Sequence, residues 1–270
     1  MLCEEVASTE NNAGAWYLLG VVQGRLGNFV EAEQCSRTAV RVRPDYVDAH
    51  VNLGIALRMQ GKLSDAIMSL REAVRLEPHH IEAHYHLGFA LAADQRLNEA
   101  IESFRETVRL KPNHAEAHYY LGALYDFKAM FKEAIAEYKK AIAINPNHIK
   151  AHNSLASDYA GEWMFEEAIA EYKKIIAIDP NNAEIHYNFG VAHGNRKEGM
   201  LDEAIAELKK VIAINPDLAW VHYNLAVGYL YKGQYGLAIE HCDRAIKLGW
   251  EVDSGFLTTL EPYRKERPLK

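Results

Sequence analysis

Apolar residues between Ala115 and Pro146 fall on two helical faces. His118, Leu121, Gly122 and Tyr125 stand at i, i+3, i+4 and i+7. After a break near residues 128–130, Ala134, Tyr138, Ala141 and Ile142 form a second face that ends at Pro146. Two amphipathic helices of this length cannot bury both faces against each other, so they need neighbours. The chain supplies them: alanines recur at Ala32, Ala66, Ala100, Ala134, Ala168, Ala204 and Ala238, and prolines at Pro44, Pro78, Pro112, Pro146, Pro180 and Pro216, every step being 34 residues except one of 36. The pattern therefore predicts seven helix pairs laid end to end, at 13–46, 47–80, 81–114, 115–148, 149–182, 183–218 and 219–250. Residues 1–12 read as the end of a helix from an upstream repeat. Residues 251–270 read as a capping helix and tail, in which Asp253 or Ser254 caps, Phe256, Leu257 and Leu260 face the last repeat, and Pro262 stops the helix. The longer step comes from two extra residues within 195–200, between helices, where a longer loop costs little closure entropy.

The unit His118-x2-Leu121-Gly122-x2-Tyr125, Ala134-x3-Tyr138, Pro146 resembles the tetratricopeptide repeat, and it recurs seven times between residues 13 and 249. Trp16 keeps that family's tryptophan, and histidine replaces it in the other copies. Further departures are Ala156 and Ala226 for the glycine, Ser36 and Cys242 for the aromatic residue, and Trp250 for the last proline. The resemblance implies an all-α, right-handed superhelical solenoid. It also implies a concave groove, lined by the first helix of each repeat, that holds an extended peptide or a partner's helix.

Composition narrows the function. Apolar residues make up 49% of the chain and charged ones 25%, enough for a continuous core. A net charge of −7 argues against nucleic acid, whose phosphates need clustered Lys and Arg. There is no apolar run long enough to enter a membrane, and residues 1–12 have neither the basic start nor the apolar segment of a signal peptide, so a cytoplasmic protein is expected. The three cysteines, Cys3, Cys35 and Cys242, are odd in number; Cys35 and Cys242 sit on packing columns and are expected buried and reduced.

No phosphate-binding glycine loop, nucleophile elbow, Cys-x-x-Cys or His-Glu-x-x-His motif is present, so no catalysis and no cofactor are expected. Glu137/Lys140, Glu171/Lys174 and Glu207/Lys210 read as i, i+3 ion pairs on a solvated outer face. Of thirteen histidines, His50, His84, His118, His152, His186 and His222 form one column. His80/His84, His114/His118 and His148/His152 stand at i, i+4, a spacing that chelates zinc or nickel on a helix. Equivalent residues of successive repeats lie roughly 8–10 Å apart, however, whereas zinc ligands lie about 2 Å from the ion, and each pair lacks further ligands. The column is therefore expected to be half-buried packing residues without metal.

Two further columns on the first helices have no packing duty in this pattern: Tyr17, Val51, Tyr85, Tyr119, Asn153, Tyr187, Tyr223, and Leu18, Asn52, His86, Tyr120, Ser154, Asn188, Asn224. Tyrosine offers rigid apolar area with a polar tip, and asparagine offers a donor and an acceptor to a peptide backbone. The expected groove residues are Tyr17, Asn52, Tyr85, Tyr119, Tyr120, Asn153, Tyr187, Asn188, Tyr223 and Asn224. Asp48, Glu82, Glu116 and Glu184 would make the rim acidic, favouring a neutral or basic segment of a partner protein. Tetratricopeptide arrays that clamp the acidic C-terminus of chaperones use Lys and Arg with Asn here, so that partner is not expected. The leading expectation is a protein-interaction scaffold. The alternatives are the substrate-recognition arm of a larger enzyme, suggested by the resemblance of HVNLG at 50–54, HYNFG at 186–190 and HYNLA at 222–226 to repeats of O-linked N-acetylglucosamine transferase, and a scaffold that self-associates.

Overall fold

Each repeat begins where a polar side chain satisfies the orphan donors of a helix start. Asn12 Oδ1 accepts from the Ala15 N–H at 3.1 Å. His80, His114 and His148 do the same through Nδ1, accepting from the N–H groups of Ala83, Ala117 and Ala151 at 3.2–3.3 Å. A computed structural model describes residues 12–179, 182, 184–186, 188–189 and 201–265. Among these the secondary structure is helical, with no strand. The expectations placed on residues 1–11, on the 195–200 insertion, on Cys3 and on Tyr187 lie outside the described residues.

The chain divides into two compact units, residues 1–144 and 145–270. The first contains α1 (Ala13–Arg25), α2 (Phe29–Val42), α3 (Val47–Met59), α4 (Leu63–Leu76), α5 (Ile81–Ala93), α6 (Leu97–Leu110), α7 (Ala115–Phe127) and α8 (Phe131–Ile144). Within this unit each odd-numbered helix pairs with the next, α3 packs beside α1 and α5, and α2, α4 and α6 meet α3, α5 and α7. The second unit contains α9 (Ile149–Gly161), α10 (Phe165–Ile178), α11 (Leu201–Ile214), α12 (Ala219–Tyr231), α13 (Tyr235–Lys247) and α14 (Ser254–Lys265).

Close approach within a pair explains the Gly and Ala columns. A β-carbon on Gly122 would stand 2.7 Å from the Tyr138 ring, one on Gly88 2.8 Å from Phe104, and one on Gly54 2.4 Å from Leu70. Ala66, Ala100, Ala134, Ala168 and Ala238 are fully buried, where any larger side chain overpacks. Leu57, Leu70 and Leu91 complete the core of the first unit, each contributing roughly 1.5–3 kcal/mol on burial. The turn joining the two helices of a pair needs a left-handed residue. Gly27, Gly61 and Gly233 supply it, but Gln95, Ala129 and Trp163 adopt φ of 56–62° at the same column. For residues bearing a Cβ that conformation costs about 1–2 kcal/mol.

Asp253 caps α14, its Oδ2 accepting from the Phe256 N–H at 3.0 Å, and Leu260 is fully buried against α11–α13 residues, with Phe256 and Leu257 beside it. Pro262 does not stop this helix, which continues to Lys265. The missing donor costs one bond to the Thr258 carbonyl near the helix end. Packing past it offsets that loss: the Tyr263 ring stacks on Tyr235 with centroids 3.5 Å apart, and Arg264 forks onto the Asp243 carboxylate. Cys35 and Cys242 are buried and outside any disulfide. No helix among the described residues is long and apolar enough to cross a membrane.

Candidate functional site

The first helices of unit 1 carry an aromatic face. Tyr17 is half-buried with its ring 5.1 Å from Tyr46, over which the Arg43 guanidinium lies at 3.4 Å. Tyr85 meets Phe89 edge-on at 4.8 Å and His114 at 4.8 Å. Tyr120 meets Phe89 at 4.5 Å and Tyr119 at 5.0 Å, and Tyr119 reaches Tyr138. Such edge-to-face contacts contribute about 0.5–1.5 kcal/mol each beyond burial. The tyrosine column thus packs as well as facing outward, a duty the periodicity did not reveal. Val51, in the same column, is buried. Asn52 Nδ2 donates to Ser36 Oγ at 2.7 Å, and that hydroxyl donates to the Ala32 carbonyl.

In unit 2 the same columns carry amides. Asn188 Nδ2 donates to Asn153 Oδ1 at 3.4 Å, and Asn224 Nδ2 donates to the Trp220 carbonyl at 2.8 Å. Tyr223 is packed between Trp250 and Phe256. The rim carboxylates Asp48, Glu82, Glu116 and Glu184 are exposed. Because His80 Nδ1 accepts from Ala83, its Nε2 carries the proton and donates to Asp48 Oδ1 at 3.2 Å.

The histidine column does more than pack. Nε2 of His50, His84, His118, His152 and His222 lies 2.8–3.0 Å from the carbonyl of the proline six residues earlier, Pro44, Pro78, Pro112, Pro146 and Pro216, to which it donates. Nδ1 of His118, His152 and His186 lies 2.5–2.7 Å from Oε2 of Glu137, Glu171 and Glu207. Each of those glutamates also accepts from Lys140, Lys174 or Lys210 at 2.7 Å. The expected ion pairs therefore form, but not on a solvated face: the three glutamate side chains are only 11–12% exposed. Burial pushes the Glu137 and Glu171 carboxyls up, and the bonds from histidine and lysine outweigh it, holding both below the usual carboxylate range. In the last repeat His241 stands in the glutamate's place, its Nδ1 2.9 Å from that of His222. The recurrence of Glu137, Glu171 and Glu207 in step with the histidines was the available signal.

These contacts settle how the i, i+4 pairs are used. His80, His114 and His148 cap helices, while His84, His118 and His152 hold proline carbonyls, and His118 and His152 also bond Glu137 and Glu171. Among the described residues no three His, Cys, Asp or Glu side chains are grouped to hold a metal.

Three cavities in unit 1 lie away from the tyrosine and asparagine columns. The largest, about 530 Å³, is lined by Leu87, Ile101, Tyr125 and Met130. One of about 470 Å³ has walls of Val108, Pro112, Ala143 and Ile144, and one of about 400 Å³ lies beside Met68.

Helix pairs on a 34-residue period, closed by Gly or Ala at each crossing, define a helical-repeat protein. Models described as tetratricopeptide repeat match residues 17–81, 57–124 and 91–157, and one described as TPR repeat matches 164–196 and 195–230. The chain belongs to the tetratricopeptide repeat family. It is similar to MamA, 30% identical over 62% of this chain and 97% of that one, with a TM-score of 0.57. PilF of Pseudomonas aeruginosa shares the fold at 19% identity, over 76% of this chain and 92% of that one, with a TM-score of 0.66. So does YrrB, described as a TPR protein with an unusual peptide-binding site, at 23% identity over 70% of this chain and 97% of that one, with a TM-score of 0.61. No curated protein matches this chain.

Proposed function

We propose that this protein is an interaction scaffold whose first helices hold an extended peptide or a helix of a partner protein, with no chemistry of its own. The observation that carries the reading is the pair of half-exposed columns on those helices. Tyr17, Tyr85, Tyr119 and Tyr120 supply ring edges and hydroxyls; Asn52, Asn153, Asn188 and Asn224 supply amides. The buried core is completed by the other faces of the same helices. Large aromatic area at low entropy cost, with adaptable polar groups beside it, suits peptide recognition. The exposed carboxylates of Glu82, Glu116 and Glu184 favour a ligand that is neutral or basic over most of its length. Two buried cysteines without disulfides support a reducing, cytoplasmic setting.

A second reading places the ligand on the other side, in the cavity of about 470 Å³ walled by Val108, Pro112, Ala143 and Ile144. Selection of a randomised peptide library on the whole chain separates the two. Replacing Tyr17, Tyr85 and Tyr119 together by Ala should weaken a selected peptide more than about tenfold, with the helical circular-dichroism signal retained. Loss on Ile144→Ser instead, with the tyrosine variant unchanged, would move the site to the second helices.

A further inference from the structure

Four polar side chains on the first-helix face of unit 1 gather in one place without a hydrogen-bond partner among the described residues. They are Arg58 near the end of α3, Tyr85 and His86 on α5, and Tyr120 on α7. Arg58 Nε and His86 Nδ1 are buried and unsatisfied, and the Tyr85 and Tyr120 hydroxyls meet no acceptor or donor. The rings lie close: Tyr85 is 5.4 Å from His86 and 6.5 Å from Tyr120, and both tyrosines flank Phe89, over which the Arg58 guanidinium stands at 5.5 Å.

The lone cation is the informative member. Arg37, Arg71, Arg96, Arg105 and Arg109 each bond a carboxylate, whereas Arg58, half-buried, meets none. Half-burying a guanidinium without a carboxylate forfeits hydration that only the Phe89 face repays, in part. His86 does not add a second cation: burial and the Arg58 charge hold it down to about 4.

We propose that Arg58, Tyr85, His86 and Tyr120 form a subsite for one acidic side chain, Asp or Glu, within the peptide held by the first-helix face. The inference rests on that reading of the face and names what its ligand carries. A guanidinium fork matches a carboxylate, and two phenol hydroxyls donate to the same oxygens. Charge selects carboxylate over phosphate. One cation neutralises one negative charge, and Glu82 and Glu116, on the first turns of α5 and α7, oppose a second. Those glutamates suit Lys or Arg on either side of the acid, so the ligand is an acidic anchor in an otherwise neutral or basic segment.

The test is a coupling measurement. Peptides selected from a randomised library on the whole chain are labelled with fluorescein and titrated by anisotropy against the parent, Arg58→Gln, Tyr120→Phe and Tyr119→Ala. The selected sequences should share one Asp or Glu. Changing it to Gln or Asn should weaken binding to the parent at least about tenfold, and weaken binding to Arg58→Gln severalfold less, since the lost partner is the same. Tyr120→Phe, which keeps the ring, should give a smaller loss with the same coupling; if Arg58→Gln melts early, this variant decides. A phosphoserine replacement that binds more tightly than the acid would make the subsite one for phosphopeptides and overturn the assignment. Selected peptides without a shared acid, or indifferent to Arg58→Gln while lost with Tyr119→Ala, would overturn the subsite and leave the first-helix reading intact. Indifference to all three variants would overturn both.

Discussion

The first-helix faces of the two units are built at equivalent positions from different chemistry. In residues 1–144 the face is mainly rings, Tyr85, Tyr119 and Tyr120 with Phe89 one turn further on, held by edge-to-face packing in which the Tyr85 and Tyr120 hydroxyls take no part. In residues 145–270 Tyr223 is enclosed by Trp250 and Phe256, and the amides beside it spend donors within the protein, Asn188 on Asn153 and Asn224 on Trp220. Rings stabilise through their faces and keep polar tips for a ligand, whereas amides can stabilise only with the groups a peptide would use. Affinity is therefore expected to concentrate on residues 58–120, and unit 2 to contribute breadth more than strength.

The largest effect should come from removing the ring at the centre of the aromatic face. Phe89→Ala deletes contacts to Tyr85, Phe104 and Tyr120 and should cost about 2–4 kcal/mol in urea unfolding. Asn188→Ala, on the first-helix face of unit 2, should cost about 0.5–1.5 kcal/mol. Equal losses would erase the distinction between the faces. Next comes the helix crossing, where unit 1 has glycine and unit 2 already has alanine. Gly122→Ala forces the Tyr138 ring aside and should destabilise by about 1–3 kcal/mol, whereas Ala226→Gly, opposite the smaller Cys242, should cost about 1 kcal/mol or less.

Acid should weaken the aromatic face. His86 has a folded pKa of about 4, depressed by burial and then by Arg58, against an ordinary value of 6.5. Its contribution is complete above 6.5 and is lost as pH falls from there toward 4, amounting at pH 5 to on the order of 1–2 kcal/mol. Thermal melts should therefore show the parent losing more stability than His86→Gln between pH 7.5 and pH 5. The same direction holds at His241, through burial and then His222. The smallest effects concern the left-handed turn: Ala129→Gly in unit 1 and Trp163→Gly in unit 2 should each raise stability, by about 0.5–1 kcal/mol, and a drop in melting temperature would show that φ is not strained there.

Period and spacing carried the fold because each repeat sees a near-copy of itself. The alanine, glycine and proline columns marked helix pairs and crossings directly. What escaped the pattern depends on contacts between residues far apart in the chain. The bonds of His118 to Glu137 and His152 to Glu171 join different helices, so each glutamate read as a surface ion-pair member. The turn column was visible only at Gly27, Gly61 and Gly233, since Gln95, Ala129 and Trp163 conceal the same backbone. Pro262 read as a stop because stacking of Tyr263 on Tyr235 is a tertiary effect. Tyrosine periodicity pointed to the face, but nothing in the spelling of α3 distinguishes Arg58 from an arginine with a carboxylate beside it.

The central claim is that the ligand lies on the first helices. A selected peptide carrying a benzophenone can be photolysed in complex with the whole chain and its attachment points mapped by mass spectrometry. Attachment at Tyr85, Phe89, Tyr119 and Tyr120, with fewer events at Asn153 and Asn188, is the expected result. Attachment concentrated on Arg109, Lys140 or Ile144 would contradict the claim and put the partner on the second helices.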